Sequence, residues 1–137
     1  LETIGTRISE VHLRFSDQWP DLSGGDTWVR AAIALYATGR WDFADADRRD
    51  GFSLPLFGPH GFRYRHPPAD LQARARSQAG VTSLQISFHE DWEPAWHAMP
   101  PGGFRLAIAN GHDSEGCQRA LEILQPWYEK TRTPTAS

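Results

Sequence analysis

The chain holds a single cysteine and a single methionine in 137 residues. One cysteine, Cys117, can neither close an internal disulfide nor build a cysteine-based zinc site. Nothing therefore points to an oxidising compartment. No segment approaches the roughly 20 consecutive apolar residues that a membrane-spanning helix requires. The opening Leu1-Glu2-Thr3-Ile4 lacks the basic-then-apolar pattern of a secretion signal. Together these absences predict a soluble, cytoplasmic protein with no membrane partner.

Concentrated positive charge is also missing. The 14 basic residues face 17 acidic ones, for a net charge of −3. The densest basic stretches, Arg63-Tyr64-Arg65-His66 and Arg74-Ala75-Arg76, are too short to neutralise a phosphate backbone, so no nucleic-acid partner is expected. Every base except Lys130 is arginine, a bias that fits a GC-rich coding genome and a bacterial-type source. There is no internal repeat, no low-complexity tract and no linker. No motif is specific enough to suggest a known family.

What is present suits a packed core. Apolar residues make up 39% of the chain and aromatics 12%, above what a disordered chain carries. Six tryptophans are many for one small core. Val11, Leu13 and Phe15 alternate with polar neighbours and predict a half-buried strand; Ile4 and Ile8 fall on the other phase, so either the strand starts late or a bulge near Glu10 shifts the pleat. Residues 16–26 read as a loop. Residues 27–38 read as a helix capped by Asp26 and closed by Gly39, with Trp28, Ala32, Leu35 and Tyr36 as its stripe. The same segment also admits a strand. Phe62 and Tyr64 oppose Arg63 and Arg65 in a short strand, and Pro67-Pro68 open a surface helix over 69–79, stopped by Gly80.

The second half has stronger rhythm. Leu84, Ile86 and Phe88 mark one strand, and Phe104, Leu106 and Ile108 another. Cys117, Ala120, Leu121, Leu124, Trp127 and Tyr128 recur at helical spacing and predict an amphipathic C-terminal helix. Asp113 or Ser114 caps it, Glu115 suits its positive end, and Pro126 kinks or ends it. Residues 131–137 read as a frayed tail. The fold expected is α+β: one domain over 1–137, with a small, mostly antiparallel sheet packed against two or three helices.

The densest chemical cluster is His89-Glu90-Asp91-Trp92-Glu93-Pro94-Ala95-Trp96-His97. On a short helix, Glu93 and His97 share a face and Trp92 and Trp96 a neighbouring one. A histidine beside carboxylates suits acid–base work near neutral pH, with the tryptophans as pocket walls. The plainer alternative is a solvated strand-end loop pinned by its tryptophans. His112 and Asp113 join this cluster only if the two late strands run parallel. An antiparallel pairing puts them at opposite edges. Asp45-Ala46-Asp47-Arg48-Arg49-Asp50-Gly51 is a poor calcium loop, its third acid one residue late. The Gly/Pro-rich stretch 57–68, with His60 and His66, reads either as a functional loop or as irregular packing. Cys117 falls on the buried stripe and is expected to be a core residue.

Two functions follow. The first is a small binding protein that recognises another protein, as an immunity or antitoxin-like factor does, and it requires an exposed Trp-bearing patch. The second is a small enzyme on a small, possibly aromatic, substrate. His89, Glu90, His97 and His112 are its candidate catalytic residues, and Trp92, Trp96, Glu93 and Asp113 its binding residues. It requires at least two of the His and acid groups to converge. No cofactor and no metal is called for by any motif, though a metal held by those same groups is a sub-case of the enzyme reading.

Overall fold

The computed structural model describes residues 2–4, 7–10, 18–22, 24–44, 50–86, 88–90 and 103–135. The chain divides into two compact units, Leu1–Ala44 and Asp45–Ser137. The expected strand at Val11, Leu13 and Phe15, most of the calcium-like loop and the residues from Asp91 to Gly102 lie outside the described residues.

In the first unit, β1 (Glu2–Ile4) pairs antiparallel with β2 (Arg7–Glu10). Their register shifts between Glu2 and Thr3, whose partners are Glu10 and Ile8. A helical turn, α1 (Trp19–Leu22), replaces part of the expected loop. Pro20 lies in its first turn, where a missing N–H loses no helical bond. The helix α2 spans Gly25–Thr38, so the helical alternative for this segment is the one realised. Its cap differs from expectation. Gly24 is the N-cap, without a side-chain bond, and Asp26 sits inside the first turn, where it complements the helix dipole. Gly39 closes the helix by donating its N–H to the Leu35 carbonyl at 2.9 Å. Trp28, Ala31 and Ala32 are buried, but Tyr36, expected on the same stripe, is exposed.

The second unit is built on a three-stranded antiparallel sheet. Its strands are β3 (Phe52–Gly58), β5 (Val81–Ile86) and β6 (Phe104–Gly111), in the order β3-β6-β5. The edge strand β3 has no counterpart in the sequence reading. Phe52, Leu54 and Leu56 alternate with exposed Ser53, Pro55 and Phe57, but Pro55 and the Gly58-Pro59 end disguise the pattern. An edge strand tolerates proline because half of its N–H groups point away from the ladder.

The central strand β6 departs from strict alternation. Phe104 and Leu106 share one core cluster with Ala107 and Ala109. The cause is a register shift opposite Leu56 and Phe57, after which the pleat changes phase. Ile108, expected beside Leu106, falls outside that cluster, although it too is buried.

Two helices pack on this sheet. α3 (Ala69–Arg76) is shorter than expected and rests against β5 and the last helix, burying Ala75 completely. α4 (Ser114–Thr131) packs on β3 and β6 through Cys117, Ala120, Leu121, Leu124 and Tyr128. Asp113 is its cap, as read from the sequence. Pro126 does not end α4, which continues to Thr131. Part of the stretch read as a tail is paired in the structure. β7 (Thr133–Pro134) pairs with β4 (Phe62–Arg63), and the Thr135 N–H bonds the Gly61 carbonyl at 2.9 Å. The Arg132 guanidinium lies 4.6 Å from the Phe62 ring centre, which further fixes this end. Residues 136–137 are outside the described residues.

Candidate functional site

The direction of β5 against β6 decides whether the sequence-predicted groups can meet. The strands are antiparallel, with Val81 opposite Gly111 and Ile86 opposite Ala107. His89 and Glu90 follow the end of β5, whereas His112 and Asp113 follow the opposite end of the pair. Val81 and Ile86 are five strand steps apart, about 16 Å at the usual rise. The shared site conditional on parallel strands is therefore not formed. Trp92, Glu93, Trp96 and His97 lie outside the described residues.

At the end of β5, Glu90 is occupied by structural bonds. Its carboxylate accepts from the His66 backbone N–H and from Arg65 Nη1, the latter at 3.1 Å. The His66 backbone bond, aided by Arg65, holds the Glu90 carboxyl below its ordinary range. The His66 ring meets Phe88 edge-on at 4.7 Å between centroids, and its Nε2 lies 2.9 Å from the Phe88 carbonyl. Since a carbonyl only accepts, that nitrogen carries the proton. The Trp127 indole N–H donates to the Arg65 carbonyl at 3.2 Å. The segment 65–66 is thus clasped between α4 and the residues after β5. His89 itself is exposed.

Behind this clasp sits an aromatic box. Tyr64 stacks on Phe104 with centroids 5.6 Å apart and planes 10° apart. Phe88 and Tyr128 each meet Tyr64 edge-on at 6.3 Å. The Tyr64 hydroxyl donates to the Pro59 carbonyl at 2.6 Å. Burial pushes both phenols above their ordinary pKa, and Arg132 partly offsets the effect at Tyr64. Neither is poised as an acid or base near neutral pH.

The other end of the sheet is equally committed. His112 Nδ1 lies 2.9 Å from the Asp50 carbonyl, to which it donates. Asp113 accepts from the Glu115 and Gly116 N–H groups at 3.1 and 3.2 Å, and Arg119 reaches the same carboxylate at 3.4 Å. It caps α4. Cys117 is fully buried, and burial first, then the nearby Asp113 charge, pushes its thiol up. The core role expected for it is the one observed. Among the described residues, no group of three His, Cys, Asp or Glu is placed to hold a metal ion, and no helix is long and apolar enough to cross a membrane.

An accessible aromatic surface lies instead in the first unit. Trp41 is 43% exposed. Its ring meets buried Trp28 edge-on at 6.3 Å and Phe43 at 5.8 Å. The Phe43 ring lies over Gly24, 3.4 Å from where a Cβ would be. Residues 41–43 therefore run back along α2, and Trp41 is held on both sides. Sequence reasoning passed over Trp41 because it follows a helix-ending glycine in what reads as a loop. The available signal was two large aromatics, Trp41 and Phe43, in a stretch with no other reason to be apolar.

No family model, no curated protein and no solved structure matches this chain.

Proposed function

We propose that this is a small binding protein that recognises another protein, in the manner of an immunity or antitoxin-like factor acting in the cytoplasm, with Trp41 as its anchor. The observation that carries this reading is the half-open ring of Trp41, braced by Trp28 and Phe43. A tryptophan already held in place loses little freedom on binding, and tryptophan is among the residues that dominate interface energies. The net charge of −3 favours a basic partner surface.

The acid–base alternative draws less support. Its described members lie at opposite ends of the β5–β6 pair, and the carboxylates of Glu90 and Asp113 are engaged in structural bonds.

The test uses the full chain immobilised in an extract of its source cells. A protein retained by the wild type is purified and titrated against wild type and Trp41→Ala. Loss of a central anchor is expected to weaken binding by about 2 kcal/mol, roughly thirtyfold. Equal affinity of a correctly folded Trp41→Ala chain overturns the assignment.

A further inference from the structure

Asn110 is the only asparagine in the chain, and a glycine follows it. An asparagine amide is most vulnerable when the next residue has no side chain to crowd the approach. The next backbone nitrogen then attacks the side-chain amide carbon. A carbon–nitrogen bond forms, ammonia leaves, and water opens the resulting five-membered imide to aspartate or isoaspartate. Only solvent water is consumed.

The fold holds this dipeptide where the reaction cannot start. Asn110 and Gly111 lie on β6, the central strand of the sheet. Asn110 stands between Ser53 of β3 and Ser83 of β5, and Gly111 between Phe52 and Val81. Asn110 has no solvent exposure. Its Nδ2 donates to Ser83 Oγ at 2.9 Å, and its carbonyl accepts from the Thr82 hydroxyl at 3.1 Å. The following N–H, of His112, donates to the Gly80 carbonyl at 2.7 Å. Ring closure requires Asn110 ψ to rotate far from the extended value of about +135° found in antiparallel strands. Rotation there breaks the pairing on both sides of β6 at once. The glycine that makes the amide vulnerable is also required by the packing. A Cβ on Gly111 would strike the Gly80 carbonyl and stand 2.9 Å from Cys117 Sγ.

We propose that Asn110-Gly111 is a site of spontaneous deamidation, closed in the folded chain and opened only when β6 unpairs. The product does not return to the fold. Aspartate sets a charge where the fold leaves no solvent and removes the donor to Ser83. Isoaspartate adds a carbon to the backbone, so part of β6 slips out of register with both neighbours. Each excursion to the unfolded state therefore removes some chains permanently, and the working lifetime is set by the time spent unfolded. The site is independent of Trp41 and of what Trp41 binds.

The test holds the full chain in mildly alkaline buffer with a reductant, one portion native and one in guanidinium chloride above the unfolding midpoint. Mass spectrometry, with peptide fragmentation to place the change, reads conversion of Asn110 as a gain of one dalton. The unfolded portion should convert steadily. The native portion should convert at least about a hundredfold more slowly, since a central strand opens at a cost close to that of global unfolding. After the denaturant is removed, circular dichroism should show the refolded fraction falling in step with conversion. Asn110→Ser, which has no amide to lose, should keep its refolding yield. If that variant does not fold, wild type held unfolded at mildly acidic pH, where the ring closes slowly, is the control and should keep its yield. Equal rates in the two portions, an unfolded portion that gains no mass, or deamidated chains that refold with the native unfolding midpoint overturn the proposal.

Discussion

The carboxylate of Glu90 accepts the backbone N–H of His66, although the two stand 24 positions apart. This bond, with the Arg65 ion pair, ties the residues after β5 to the segment that precedes α3. Because the charged form of Glu90 is the one bonded, its folded-state pKa lies below the unfolded one. The stability it contributes is fully present above the unfolded-state pKa and is lost as pH falls through the folded-state value. Glu90→Gln should therefore cost about 1 kcal/mol in urea unfolding at neutral pH, as expected for a partly exposed, charge-assisted bond. The gap between variant and wild type should close as pH falls through the folded-state value of Glu90. A gap that persists undiminished there contradicts this account.

Asp113 offers a cleaner measurement. Its two oxygens receive the Glu115 and Gly116 N–H groups, which would otherwise lack helical partners. Asp113→Ala should lower unfolding free energy by about 1 kcal/mol, and Asp113→Asn, a good cap in its own right, by much less. If the two substitutions cost the same, the cap is not what Asp113 provides.

The Tyr128 hydroxyl is buried and makes no hydrogen bond among the described residues. Removing an unsatisfied buried polar group should be harmless or favourable. Tyr128→Phe is expected to leave the thermal midpoint unchanged or raise it. A loss above about 1 kcal/mol would instead reveal a partner for that oxygen.

Cys117 should be silent toward a thiol reagent while the chain is folded. Burial and the Asp113 carboxylate both disfavour its thiolate, the species that reacts. Labelling should appear only when denaturant unfolds the chain, with the midpoint of the unfolding curve. Rapid modification in native buffer is the result that would rule this out.

How far the sequence could be read depended on whether a segment is organised by its own periodicity or by its neighbours. The α4 stripe was legible because Cys117, Leu121, Leu124 and Tyr128 follow the helical repeat without interruption. β5 was legible for the same reason at period two. β3 was hidden because Pro55, unremarkable on an edge, looks like a break before the edge position is known. The burial of Ala107 was hidden because the bulge that turns it inward is set by pairing with Leu56 and Phe57. The pairing of Thr133 and Pro134 was hidden likewise, since β7 is set by its neighbour β4. The candidate site suffered most. Whether His89 and His112 meet depends on strand direction, which alternation alone does not encode.

One corner of the second unit limits what this sequence can become. Gly80 is in the left-handed region at φ +75°, and a Cβ there would collide with the Asp113 side chain. A Cβ on Gly111 would strike the Gly80 carbonyl, and one on Gly116 the Ala79 carbonyl. The obstacles at Gly111 and Gly116 are backbone atoms, which cannot swing aside as a side chain can. Diverged descendants of this chain are thus expected to drift almost anywhere else before they change these three glycines or the aspartate between them. That quartet, with its fixed intervals, is the fingerprint by which remote kin can be sought. A relative that keeps the strand order yet carries a bulky residue at position 116 would show that the corner can be rebuilt.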